Sequence, residues 1–318
     1  NALSVASNQL WLASGGNLAL GGAVGVGGNT LTLGGNNHFI FTNAVTGAGA
    51  LVKGGGGTAS FSGGGSWLGG LTVNGGAVNF TNGGALAVTN AGGSAAAVVS
   101  SGALQMNGGT LAVDQLYVTN GAGSTVAFNH GTLTVGNGSV IRTAAGIDFT
   151  MGNTAGRTAI WNILGGTNLL DVGGGVGIAI GNANGATGIV NVVGAGTVWT
   201  NSKDVIVGGI SAGCLLNVSN GAVVYGRAGM IGRNAADTNN SVLVSGAGSS
   251  WQNSSTLTVG EAGAGNRMLV TNGGWVVSAS GFIGRGFSAG GNQAVVAGAA
   301  TGPTGAVAAA GRPKLPLW

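Results

Sequence analysis

The side chains in this 318-residue chain that are best suited to catalysis are its carboxylates, and they are widely spaced. There are six of them: Asp114, Asp148, Asp171, Asp204, Asp237 and Glu261. Cleavage of a polysaccharide needs two or three acids close together, with Arg or Lys added when the reaction is an elimination. Asp148, near Arg142 and Arg157, forms the best local cluster, but a solvated ion pair at the corners of the coils is the interpretation that we favour. The sequence therefore predicts no catalytic site.

Other nucleophiles and ligands give equally weak signals. Residues 209–213 match the Gly-x-Ser-x-Gly nucleophile pattern, which chance alone produces in a chain with 71 glycines. His38 and His130 lie far from any acid and are interpreted as turn residues. Cys214 is the only cysteine, which excludes a disulfide or a thiolate metal site within one chain. Because Asn266 occupies the equivalent position one repeat later, Cys214 is interpreted as a small filler near a turn rather than as a nucleophile. Neither a metal nor another cofactor is predicted.

Composition excludes several other classes of protein. Charged residues make up 5% of the chain and apolar residues 44%, which does not fit charged disorder. The glycines follow no three-residue period and there are only 3 prolines, which excludes collagen. The ten Lys and Arg residues are scattered, so no nucleic acid partner is predicted. No uninterrupted apolar run is long enough for a membrane-spanning helix.

The most informative feature is an internal repeat. Residues 182–233 recur 52 positions later with 22 of 52 identities, and Trp199 falls on Trp251. A fixed period filled with short Val, Leu, Ile and Thr runs between Gly and Asn is typical of a solenoid. With coils of roughly 20 to 28 residues, the 52-residue unit is interpreted as two coils, and the chain as roughly 12 coils.

The strands are short runs with a period of two, such as Leu71-Thr72-Val73 and Leu257-Thr258-Val259. The first and third residues of each run should face the core and the central Thr should face outward. Gly, Asn and Ser bound the runs and are expected at the corners of the coils.

Three segments can be distinguished along the chain. Residues 1–150 are predicted to form irregular Gly-rich coils, and residues 151–299 to form coils with the 52-residue repeat. A third copy of the repeat fails at Pro303, so residues 300–318 are predicted to be a non-repeat tail that caps the rod or contacts another subunit. Its expected apolar anchors are Leu315, Leu317 and Trp318.

Trp199 and Trp251 are candidates for contact with a glycan. Two coils would separate them by about 10 Å, too far for one ring to stack on the other. Exposed on an edge they could hold sugar rings, whereas under a corner they would be packing residues. Packing is the interpretation that we favour.

One stretch near the N-terminus supports a family resemblance. Residues 45–63 read VTGAGALVKGGGGTASFSG, and residues 69–78 read GGLTVNGGAV. This resembles the autotransporter-associated β-strand repeat, with its Gly-x-Gly-x-Leu-x-Lys stretch and its Thr-x-Val-x-x-Gly strand. Thr58-Ala59-Ser60-Phe61 departs from the Leu-rich strand of that pattern. The resemblance implies a right-handed parallel β-helix that is exported and displayed outside the cell.

The sequence thus predicts an all-β parallel β-helix. The expected function is that of a non-catalytic extracellular structural or adhesive solenoid, such as a stalk, an adhesin body or surface-layer material of a bacterium. One alternative is a self-assembling fibre or matrix subunit, whose partner is another copy of the chain. A second alternative is a β-helix that binds or cleaves a surface glycan.

Overall fold

A computed structural model describes residues 2–120 and 123–298, and these residues form strands and turns without any helix. Short apolar runs bounded by Gly and Asn dictate short strands. The strands in chain order are β1 Leu3–Ser4, β2 Gln9–Leu12, β3 Leu18–Leu20, β4 Val24–Gly25, β5 Thr30–Gly34, β6 Phe39–Phe41, β7 Val45–Lys53, β8 Thr58–Phe61, β9 Ser66–Val73, β10 Ala77–Thr81, β11 Ala85–Val88, β12 Ala96–Val99, β13 Gly102–Val113, β14 Gln115–Val118, β15 Ser124–Val135, β16 Ser139–Arg142, β17 Phe149–Met151, β18 Thr158–Ile163, β19 Thr167–Asp171, β20 Gly177–Ile180, β21 Thr187–Val193, β22 Val198–Asn201, β23 Asp204–Val207, β24 Leu215–Ser219, β25 Val223–Gly226, β26 Gly229–Ile231, β27 Ser241–Ser245, β28 Ser250–Asn253, β29 Thr256–Val259, β30 Arg267–Thr271, β31 Trp275–Val277, β32 Ser280–Ile283 and β33 Gln293–Ala297.

The strands pair in three parallel ladders. Ladder I continues through β18, β21, β24, β27, β30 and β33. Ladder II contains β19, β22, β25, β28 and β31, and ladder III contains β20, β23, β26, β29 and β32. The long strands β7, β9, β13 and β15 bend through a corner, and each of them pairs in two ladders. These pairings confirm the predicted parallel β-solenoid of about 12 coils.

The core is a set of inward columns that run from coil to coil. In one column Phe41, Phe61 and Phe80 lie on successive coils, with ring centroids 5.1 and 5.4 Å apart. Leu71 and Val73 are buried on either side of the partly exposed Thr72, so the predicted alternation is confirmed there. Because every coil adds further buried apolar area, stability accumulates along the rod.

Thr258 differs from the prediction that the central Thr of a run is exposed, because its side chain is buried although Leu257 and Val259 on either side of it face the core. Thr258 lies between Met230 and Phe282 on the neighbouring coils of ladder III. Met230 and Phe282 are both larger than Thr, and larger neighbours on both sides reduce the exposure of a short side chain between them. Burial on the outer face therefore depends on the residues one coil away as well as on strand parity.

The register of the ladders explains the 52-residue repeat. On ladder II, Trp199 pairs with Val224, and Val224 pairs with Trp251 on the coil after that. The first of these two steps along the chain is shorter than the second. On ladder I the steps are equal, as in the pairing of Leu216 with Val242 and of Val242 with Met268. The repeat therefore consists of two coils, as predicted, and the two coils differ in where they place their corners.

The corners depend on glycine at defined points. Gly208 and Gly232 end successive strands of ladder III with φ angles of 80° and 72°. Residues with a Cβ rarely adopt this left-handed conformation. The expectation that glycine occupies corners is confirmed at these positions.

Candidate functional site

All six carboxylates have structural partners within the described residues. Three of them form ion pairs: Asp171 with Arg142 at 3.4 Å, Asp204 with Arg227 at 2.6 Å, and Glu261 with Arg285 at 3.5 Å. The other three are Asp114, Asp148 and Asp237, and they accept hydrogen bonds from backbone N–H groups at the coil corners. The acids therefore hold neighbouring coils and turns together.

The structure does not form the cluster of Asp148, Arg142 and Arg157. Oδ1 of Asp148 accepts hydrogen bonds from the backbone of Val176 and Gly177, both at 2.9 Å, on the next coil. Arg142 forms its ion pair with Asp171 instead. The carboxylate of Asp148 thus fixes a corner and has no second acid as a hydrogen-bond partner.

Asp237 is the most deeply buried of the acids. Its Oδ2 accepts hydrogen bonds from the backbone N–H of Asn234 at 2.7 Å and from the Asn234 side chain at 2.9 Å. Burial raises the pKa of the Asp237 carboxyl above its ordinary value, and the hydrogen bonds from Asn234 oppose this shift. The group closes a turn and has no surface on which a substrate could lie.

Ser211, the centre of the Gly-x-Ser-x-Gly match, is buried in a corner and donates a hydrogen bond to the carbonyl of Ala186. The described residues around it form no strand-to-helix turn, which the nucleophile elbow requires. Nδ1 of His38 accepts a hydrogen bond from the backbone of Thr58 at 3.1 Å on the next coil. His130 pairs with Asn107 of β13, and burial lowers its pKa.

Cys214 begins a row of hydrogen-bond acceptors, which we call the acceptor row and which continues through Asn240, Asn266 and Asn292 on the following coils. Its Sγ accepts the backbone N–H of Gly188 at 3.3 Å, and its own N–H donates to Oδ1 of Asn240 at 2.8 Å. The N–H of Asn240 donates to Oδ1 of Asn266 at 2.9 Å, and the N–H of Asn266 donates to Asn292 at 2.7 Å. Cys214 is thus the first member of the acceptor row rather than a filler that any small residue could replace. Burial raises the pKa of its thiol, which disfavours the reactive thiolate.

Trp199 and Trp251 lie in the core, fully buried. Val224 separates them in their column, and the ring of Trp199 contacts that of Trp161 edge-on at a centroid distance of 5.5 Å. Neither indole presents a ring face to solvent, so any glycan would have to be bound by other residues.

The proposed tail anchors Leu315, Leu317 and Trp318 lie outside the described residues. Their suggested role in capping or subunit contact remains a prediction.

A surface depression beside ladder II, which we call the corner groove, was not foreseen from the sequence. Its volume is about 410 Å³, and it runs along the outer edge of four coils. The lining residues are Asn201, Ser202, Tyr225, Gly226, Arg227, Gln252, Asn253, Ser254 and Val277. A second depression of about 390 Å³ adjoins it and shares Arg227.

The residues of the corner groove come together only because the coils stack. Tyr225, Gln252 and Val277 form an outward column on three successive strands of ladder II. The two steps along the chain that separate them are unequal, so their proximity is not visible before the register is known. The available signal was Asn201, which the repeat preserves as Asn253.

Within the described ranges, no group of three or more His, Cys, Asp or Glu side chains is placed to hold a metal ion. The same ranges include no helix of the length and apolar character needed to cross a membrane.

Comparison with known proteins gave one informative similarity. The chain is 31% identical over 146 residues to a protein named Adhesin BmaC autotransporter, from Brucella suis biovar 1 (strain 1330). The aligned part is 43% of this chain but 4% of that much longer adhesin. No protein-family model and no solved structure matches the chain. Together with the solenoid fold, the similarity confirms the predicted likeness to autotransporter passenger proteins.

Proposed function

We propose that this chain is a non-catalytic, extracellular structural and adhesive β-solenoid, forming part of the body of a bacterial surface protein. The observation that carries the proposal is the engagement of all six carboxylates in ion pairs or corner hydrogen bonds within a stack of parallel coils. An acid that holds the scaffold together is not available for proton transfer to a substrate. The similarity to an adhesin supports a location at the cell surface.

The outer surface of the solenoid suits this function. Side-chain amides form a partly exposed row on ladder I, in which Asn191 donates to Asn162 at 2.9 Å and Asn217 donates to Asn191 at 3.4 Å. Such rows satisfy polar groups without using charge, so the surface depends little on salt. A rod built from coils can also be extended without a new core, because each coil contacts only its neighbours.

The location is tested with antibodies raised against the purified chain. They should label intact, unpermeabilised cells of the producing bacterium, and protease added outside should remove the label while a cytoplasmic marker survives. Labelling that appears only after the cells are lysed would contradict the proposed location.

The absence of catalysis is tested separately by incubating the purified chain with pectin, alginate and neutral glucans. We expect no reducing ends and no unsaturated sugars above the level of a heat-unfolded control. Sugar release that Asp148→Asn abolishes would show that the chain is an enzyme.

A further inference from the structure

Asn184 and Gly185 form an Asn-Gly pair at an exposed corner of the solenoid. They are the central residues of a turn in which the N–H of Ala186 donates to the carbonyl of Ala183 at 2.9 Å, and Gly185 has a φ of 74°. In an Asn-Gly pair the backbone nitrogen of Gly can attack Cγ of the Asn side chain, because Gly has no Cβ to hinder the approach. The corner therefore has the residue types for spontaneous deamidation.

The same corner of other coils has different residues before the glycine. Ala155 precedes Gly156 on the preceding coil, and Ala264 precedes Gly265 further along the rod. The φ angles of Gly156 and Gly265 are both 69°, close to that of Gly185. An alanine side chain has no carbonyl carbon, so these turns cannot undergo the reaction. Asn184 brings the chemistry to a corner that other coils build with alanine.

The attacking nitrogen of Gly185 is free of hydrogen bonds within the described ranges. At the same corner of the next coil, the N–H of Gly213 donates to the carbonyl of Thr238 at 3.1 Å. The register of ladder I explains the difference, because the pairing of Ile189 with Leu215 does not bring Gly213 opposite Gly185. Gly185 also has open space around it, since the atom nearest to a Cβ placed there would be 4.0 Å away.

The other Asn-Gly pairs of the described structure are restrained by their neighbours. Oδ1 of Asn82 occupies the space that a side chain on Gly108 would take. The remaining pairs are held by hydrogen bonds that must break before the nitrogen can reach Cγ. These bonds are Ser100 Oγ to Asn74 Oδ1 at 2.6 Å, Asn107 Nδ2 to Asn79 Oδ1 at 2.8 Å, Asn137 Nδ2 to the Gly93 carbonyl at 2.9 Å, Gly221 N–H to Ser249 Oγ at 2.9 Å, and Asn272 Nδ2 to Ser245 Oγ at 3.2 Å. The glycine that follows Asn120 lies outside the described residues.

From these observations we infer that Asn184 is a site of spontaneous deamidation, favoured over the restrained Asn-Gly pairs. The nitrogen of Gly185 loses its proton and bonds to Cγ of Asn184, and the side-chain nitrogen leaves as ammonia, which closes a five-membered succinimide ring. Water then opens the ring at either carbonyl carbon. The product is aspartate, or isoaspartate, in which the main chain runs through the former side chain. Both products place a carboxylate at the corner.

The isoaspartate product also changes the length of the corner. It adds one atom to the main chain immediately before Gly185. The carbonyl of the adjacent Ala186 accepts the hydrogen bond from Ser211 on the next coil. Deamidation therefore alters a point of contact between two coils. The inference does not depend on the proposed adhesive function, because it follows from the geometry of the turn.

The test ages the intact folded chain in H₂¹⁸O at mildly alkaline pH and maps the products by mass spectrometry. Trypsin releases residues 158–203, 204–227 and 268–285 as separate peptides, each with one Asn-Gly pair, at Asn184, Asn220 and Asn272. Digestion in ordinary water leaves ¹⁸O only in carboxylates formed during ageing, and electron-transfer fragmentation distinguishes isoaspartate from aspartate. Asn220 is the matched comparison, because Gly and Ala follow both it and Asn184.

In the folded chain Asn184 should deamidate about 3- to 10-fold faster than Asn220 and Asn272, a factor that corresponds to one hydrogen bond. In chain unfolded with guanidinium chloride, Asn184 and Asn220 should react at similar rates. The inference is overturned if either comparison site reacts as fast as Asn184 in the folded protein, or if Asn184 keeps its advantage in the unfolded chain.

Two variants test the cause. Asn184→Ala introduces the residue that other coils have at this corner, so it should keep the melting temperature and abolish ¹⁸O uptake in the peptide 158–203. Ser249→Ala frees the N–H of Gly221 and should accelerate deamidation of Asn220 by about 3- to 10-fold. Melting curves establish that both variants are folded. Uptake that persists in Asn184→Ala, or an unchanged rate at Asn220 in Ser249→Ala, would contradict the assignment.

Discussion

The indole of Trp251 occupies the space that Gly229 leaves on the preceding coil. A Cβ placed on Gly229 would lie 2.5 Å from Cζ2 and 2.6 Å from Cη2 of that ring. In the Trp251 column the residues alternate between Trp and Val, and Gly229 pairs with Val205 on one side and Leu257 on the other. A large residue on one coil thus requires a small residue on its neighbour. This alternation gives a physical reason why the sequence repeats every two coils.

Gly229→Ala is therefore expected to destabilise the protein. The added methyl group would overlap the Trp251 ring, and overpacking of this kind costs about 1–3 kcal/mol. The free energy of unfolding from denaturant titration measures the effect. Gly28→Ala is the matched control, because its Cβ would meet no atom within 4 Å, and it should be neutral or slightly stabilising. Equal losses for the two variants would show that the Trp251 contact is not tight.

Cys214→Asn should melt at the same temperature as the wild type or higher. Asn supplies a stronger acceptor than Sγ to the N–H of Gly188, and Asn already occupies the corresponding positions 240, 266 and 292. Cys214→Val removes the acceptor and should cost about 1–3 kcal/mol. Calorimetric melting of the two variants tests whether position 214 serves as an acceptor in the acceptor row. An Asn variant less stable than the Val variant would argue against that role.

The assignment of residues to the core-facing side of the strands is tested by placing a carboxylate at buried and at exposed positions. Val244→Asp and Val259→Asp should each lose several kcal/mol, because both valines are fully buried and a carboxylate there has no partner. Ser254→Asp and Ser255→Asp replace exposed corner residues and should change stability by about 0.5 kcal/mol or less. Thermal unfolding followed by circular dichroism separates the two classes, and similar melting temperatures for all four would refute the register.

Lys53 is expected to give the protein an unusual dependence on alkaline pH. Its side chain lies in the core between Leu33 and Val73, where Nζ donates to the carbonyls of Gly54 and Gly55. Burial lowers the pKa of Lys53 below its ordinary value of 10.5. Between the folded and unfolded pKa values the unfolded chain binds more protons, so stability contributed by this group rises with pH in that window.

The measurement compares the wild type with Lys53→Met from pH 7 to about 10.5. Met fills the same column without a charge, so the variant should be more stable at pH 7, and the difference should shrink as the pH rises. A difference that stays constant across this range would mean that Lys53 titrates normally in the folded protein.

Much of the fold could be predicted because the information is local and repeated. The alternation of Leu71, Thr72 and Val73 and the identity of Trp199 with Trp251 sufficed for strands, inward faces and the two-coil repeat. The burial of Thr258 was missed because it depends on its neighbours Met230 and Phe282, which lie one coil away. Cys214 was interpreted as a filler because its acceptor role appears only when Asn240 is stacked upon it.

The corner groove could not be predicted for the same reason. Tyr225, Gln252 and Val277 become neighbours only through the register of ladder II, in which the offset between coils alternates. The pairing of Arg227 with Asp204, which neutralises the groove, also joins two coils. A sequence reading that assumes one coil length cannot locate such a site.

The central claim is that the 52-residue repeat consists of two stacked coils. It is central because the carboxylate contacts, the acceptor row from Cys214 to Asn292 and the corner groove all depend on that register. Paired cysteines test it directly in a Cys214→Asn background. Leu243 pairs with Leu269, and Leu269 pairs with Val295 on the following coil. Leu243→Cys with Leu269→Cys should form a disulfide on mild oxidation, since neighbouring strands lie about 4.8 Å apart. Leu243→Cys with Val295→Cys, separated by about 10 Å, should not. Crosslinking of the second pair but not the first would show that one coil spans the whole repeat and would contradict the account.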